Sequence, residues 1–203
     1  MDFRETTLQG YSEDNVYHGT QSFQNILNAR RSDKAVATVS SNLILTALPR
    51  DVQKLLEPLL RSVTLTKEQF LYQEDDTLEF IYFPETAVVS EFKILEDGRM
   101  VEIAVTGREG AVGLSSLFSD SLVASNCTQV SQAGTARKID AETFEKLMRT
   151  NDKLRKELSH SVDLYIKQIS QKAICNMYHS VKERLCTWLL MVQDRCGKST
   201  LNL

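Results

Sequence analysis

Two runs of alternating apolar and polar residues, Val88–Leu95 and Met100–Val105, flank Glu96-Asp97-Gly98-Arg99. An Asp-Gly pair between such runs is a strong antiparallel hairpin signal, because its left-handed backbone matches the twist of the strands it joins. That pairing commits the middle of the chain to β-structure. Shorter runs of the same kind occur at Val63-Thr64-Leu65, Phe70-Leu71-Tyr72, Cys127–Val130 and Gly134–Ile139. Glycines at 107, 110 and 113 punctuate the interval between them. Many short strands separated by turn residues read as a barrel or a sandwich.

The flanks follow a different period. Residues 1–40 are polar, lack a sustained apolar repeat and read as an arm. From Leu43 to Leu60 leucines recur near helical spacing, and Pro49 divides them into two short helices. The segment from about Ala141 to Met177 contains neither proline nor glycine and reads as helical throughout. Within it Leu158, Val162, Tyr165 and Ile169 step by 4, 3 and 4, a heptad seam flanked by charged residues. A small barrel cannot cover so long a helix, so the seam is expected to face a second copy in a parallel homodimer. The other reading is a helix that simply lies on its own barrel. Ser180 with Glu183 three residues later forms a capping box that opens a last amphipathic helix, which Gly197 ends.

Composition narrows the function. A chain of 203 residues, 42% hydrophobic and 25% charged, can bury one ordinary core. A net charge of −3 argues against a large phosphate-binding surface. The longest apolar runs fall short of the roughly 18–20 residues of a membrane span, and no signal peptide opens the chain, so a cytoplasmic protein is expected. Cys127, Cys175, Cys186 and Cys196 stand apart with no CxxC pair, which fits reduced thiols. No nucleophile–base pattern, phosphate loop or metal box appears, and His18, His160 and His179 have no ligand spacing. An enzyme is not expected.

The order of these elements resembles Crp/Fnr transcription regulators. The resemblance is carried by the leading helices, the strand pair around Asp97-Gly98, and the segment Ile81-Tyr82-Phe83-Pro84. The glycine cluster Gly107–Gly113 and the long helix running into Val181-Lys182-Glu183-Arg184-Leu185 complete it. It spans about residues 42–203. It implies a mainly β fold with added helices. At its centre is a double-stranded β-helix, a jelly-roll or cupin-like barrel over residues 41–150, with short leading helices and a long dimerisation helix over 151–178. Residues 179–203 would open a winged helix-turn-helix domain whose recognition helix the chain does not reach. DNA would then be contacted only through that missing part.

In members of the family that bind cyclic AMP, a Gly-Glu-Leu motif starts a short helix and an Arg-Ser pair follows about ten residues later. The glutamate takes the ribose hydroxyl and the arginine pairs with the cyclic phosphate. The matching stretches here read Gly113-Leu114-Ser115 and Ala124-Ser125. Both charged positions have become apolar, and each lost charge-assisted bond removes roughly 1.5–3 kcal/mol. Cyclic AMP is therefore not expected as the ligand, no cofactor is expected, and any small-molecule effector is of another kind. The cysteine cluster of an iron–sulfur sensor is absent from residues 1–126. The alternatives are a stand-alone module and a ligand-free dimeric scaffold, each acting through protein partners.

Overall fold

The computed structural model describes residues 40–119 and 121–196. The expected arm lies outside the described residues, as do Gly197 and the segment Thr200–Leu203. Seven strands form two antiparallel sheets. β1 (Arg61–Leu65), β7 (Gly134–Asp140) and β3 (Phe80–Pro84) make one, in that order across the sheet. β2 (Phe70–Tyr72), β6 (Cys127–Gln132), β4 (Val88–Ile94) and β5 (Met100–Thr106) make the other. This is the expected jelly roll. The hairpin between β4 and β5 closes at Gly98, whose φ of +81° is the left-handed conformation a side chain resists. There Gly98 N–H donates to the Leu95 carbonyl at 2.8 Å.

The core lies between the two sheets. Leu65, Ile81, Phe83, Val89, Val130 and Ile139 supply it from the strands. Phe144 enters from α3 (Ala141–Thr150) and stacks edge to face on Phe83, with centroids 5.6 Å apart. Between β6 and β7 the chain turns so tightly that Gly134 sits against backbone. A Cβ there would fall 2.4 Å from the Ala87 nitrogen and 2.5 Å from the Thr86 carbonyl carbon. Gly134→Ala is expected to lower unfolding stability by about 1–3 kcal/mol, the range for overpacking, read as a lower urea midpoint; an unchanged midpoint would refute the close approach.

The leading helices, α1 (Leu43–Ala47) and α2 (Arg50–Leu56), are split at Pro49 as expected. Asn42 holds α1 in place. Its Oδ1 accepts from the Ile44 and Leu45 amides, and its Nδ2 donates to the Pro84 and Gly110 carbonyls at 2.8 and 2.9 Å. The expected continuous helix from Ala141 is two helices. α3 ends at Thr150, and α4 (Asp152–Tyr178) starts after Asn151, which is extended and accepts from the Leu154 amide at 3.0 Å. Asparagine competes for backbone donors in this way, so it interrupts a helix without proline or glycine. The Ser180–Glu183 capping box opens α5 (Val181–Cys196).

Candidate functional site

The candidate ligand cassette, from Gly113 to Ser125, is entered where Val112 pairs with Tyr82 in a short bridge, each amide donating to the other's carbonyl. Gly113 follows with φ +85°, then a four-residue 3₁₀ turn, Ser115–Phe118. Leu114 and Leu117 point into the barrel core. Ser115 is exposed, while the buried Ser116 hydroxyl donates to the Val123 carbonyl at 2.7 Å. The returning strand is held by the loop before β3, since Ala124 N–H donates to the Asp76 carbonyl and Asp75 N–H to the Ala124 carbonyl. Ala124 is buried in the core and Ser125 is exposed. Leu114 and Ala124, the two positions at which the family resemblance would place charge, are thus core side chains.

The surroundings are acidic. Lys93 bonds to Glu74 and to the Ser125 carbonyl, so its charge is already compensated. Burial pushes the Cys127 thiol up, and the nearby Asp76 and Glu74 carboxylates push it further. A thiol so placed is a poor thiolate, and an incoming anion would meet the same two negative charges. The 3₁₀ turn is also too short to supply a helix dipole. Among the described residues, no group of three or more His, Cys, Asp and Glu is placed to hold a metal ion.

The long helix reaches this region from the other side. Glu91 on β4 is buried, and its Oε2 accepts from the Tyr165 hydroxyl at 2.6 Å and from Asn126 Nδ2 at 3.2 Å. Burial raises the Glu91 carboxyl above the usual carboxylate range, and the two hydrogen bonds offset this in part. Tyr165, next to that carboxyl, is pushed far above the usual phenol range, chiefly by its own burial. The sequence carried a signal for Glu91, a charged residue in the same phase as the core residue Val89.

The expected dimer seam is placed differently. Leu158 is fully buried in the barrel's own core, Val162 packs against that core, and Tyr165 is bound to Glu91. Ile169 is half-buried. The heptad therefore marks the face that α4 turns to its own chain, where Leu158 and Val162 join the core cluster and Tyr165 reaches β4. The large apolar residues of α4 that stay exposed are Ile166, Ile174, Met177 and Tyr178, on another face. No helix among the described residues is long and apolar enough to cross a membrane.

The family model of the cyclic nucleotide-binding domain matches residues 62–151, the barrel from β1 to the end of α3. No curated protein matches by sequence. Several solved structures are similar. One is CLP of Xanthomonas campestris, a c-di-GMP-responsive global regulator, at 15% identity and TM-score 0.56, covering 68% of this chain and 69% of that one. FixK2 of Bradyrhizobium japonicum matches at 18% identity and TM-score 0.57, covering 67% of each chain. A protein of Eubacterium rectale described as a Crp/Fnr-family transcriptional regulator matches at 13% identity and TM-score 0.62, covering 79% of this chain and 74% of that one. At these identities the likeness concerns the fold.

Proposed function

We propose that this chain, whose residues 62–151 match the family model of the cyclic nucleotide-binding domain and whose fold is similar to that of a Crp/Fnr-family regulator, is a regulatory sensory module whose effector is not a cyclic nucleotide. The carrying observation is that Leu114 and Ala124, which the resemblance aligns with a carboxylate and a guanidinium, are apolar and buried in the core. Acidic side chains around Cys127 add to it. The module is a homodimer that pairs through the exposed α4 residues Ile166, Ile174, Met177 and Tyr178, and it acts on DNA through a domain outside this chain. An effector would act by favouring one of two dispositions of the long helices, which requires different affinities for the two.

A second reading, a dimeric scaffold with no effector, is favoured by the same segment, since Leu114 and Leu117 are packed into the barrel core. Calorimetric titration with cyclic AMP and cyclic GMP is expected to give no binding heat at micromolar concentrations. Tight binding of either nucleotide would overturn the first reading and the second together.

A further inference from the structure

Helix α5 is fastened to the outside of the barrel. Val192 packs on Val88 and Val105, with Trp188 and Met191 beside them. Trp188 Nε1 donates to Glu102 Oε2 at 3.0 Å, and Glu102 also accepts from Ser90 on β4 and from Lys172 on α4. In the last turn of α5, the Arg195 side chain is 9% exposed and faces that of Glu109, itself 12% exposed. Arg195 Nε donates to Glu109 Oε1 at 2.7 Å and to the Val105 carbonyl at 3.1 Å. The same Glu109 oxygen accepts from the Gly107 amide at 3.1 Å. Gly107 is fitted to the helix, since a Cβ there would lie 2.5 Å from Arg195 Cβ.

The position of Glu109 gives the ion pair its meaning. Its loop continues into Gly110, whose carbonyl takes the Asn42 amide, and into Val112 and Gly113, which open the cassette. A buried carboxylate that caps this loop and at the same time neutralises Arg195 cannot move without leaving one charge buried and uncompensated.

We propose that Arg195 and Glu109 form a latch, closed in this structure, that links the docking of α5 on the barrel to the conformation of the 107–113 loop. With the latch closed, α5 covers the outer face of β4 and β5 while Val181, Leu185 and Leu190 stay exposed on it. Rearrangement of the loop that draws Glu109 away releases the end of α5, and by reciprocity release of α5 loosens the loop. The latch does not depend on which effector, if any, the barrel takes.

The chain carries its own reporter, because Trp188 is the single tryptophan and lies on the docked face. The test uses the full chain and compares acrylamide quenching of Trp188 with deuterium uptake of residues 107–113 and 181–196. Glu109→Gln and Arg195→Gln are each expected to raise the opening of α5 by roughly tenfold or more, with a red-shifted emission. Uptake of the 107–113 loop is expected to rise in the same variants. The exchanged pair Glu109→Arg with Arg195→Glu is expected to recover part of both effects, which mere loss of packing would not. Should the neutral variants fail to fold, Arg195→Lys, which keeps the charge but loses the forked geometry, is expected to give a smaller rise in both readouts. Quenching equal to wild type in the variants that fold would overturn the latch. Looser α5 with unchanged loop uptake would overturn the link.

Discussion

Leu158→Ala is expected to lower unfolding stability by about 2–5 kcal/mol, the range for truncating a buried leucine. Leu158 has no exposed surface and belongs to the same cluster as Leu154, Phe144 and Val89. The cost should appear in the urea midpoint at any protein concentration, because the contacts lie within one chain. Met177→Ser should do the reverse. Met177 is 75% exposed, so its loss should change the midpoint by no more than about 0.5 kcal/mol while weakening association in sedimentation. If Leu158→Ala left the midpoint unmoved and shifted only the sedimentation, the heptad would face a partner after all.

Glu91 is expected to make the wild-type chain lose stability as pH rises. The folded state holds its proton more tightly than the unfolded chain, because burial lifts the carboxyl above the usual range. That contribution is fully present below the ordinary carboxylate range and is lost as pH climbs through the raised folded value. The slope is at most about 1.4 kcal/mol per pH unit. Glu91→Gln keeps an oxygen that can accept from Tyr165 and Asn126 but has no proton to lose. Urea titrations across this range should show a decline in the wild type that the variant lacks. Parallel curves for the two proteins would mean that Glu91 does not titrate as a buried group. A loss in the variant that is uniform at every pH would point to geometry alone.

Much of the barrel was legible because its signals are local. Asp97-Gly98 marks a turn by its own backbone preference, and Pro49 breaks a helix wherever it stands. The break at Asn151 was not legible, since asparagine sits inside many helices and only its captured Leu154 amide distinguishes a cap. The heptad showed that Leu158 and Tyr165 share a face but not what covers it, because helical spacing is the same whether that face meets its own core or a second helix. In the cassette, the loss of charge at Leu114 and Ala124 could be read directly. The Glu91–Tyr165 bond could not, for its partners meet across 74 positions of chain. Arg195 and Glu109, 86 positions apart, likewise carry no local mark of their pairing.

Asn42 shows how narrow the chemistry of a tether can be. Aspartate has nearly the same shape and caps helices equally well, so it would still accept from the Ile44 and Leu45 amides. It would also turn the two donors that hold the Pro84 and Gly110 carbonyls into an acceptor, oxygen facing oxygen in a buried place. The leading helix would survive that exchange of one atom group while its attachment to the sheet and to the glycine loop would not. Helix formation and helix anchoring are therefore separable at a single side chain, and spontaneous deamidation is a reaction able to separate them.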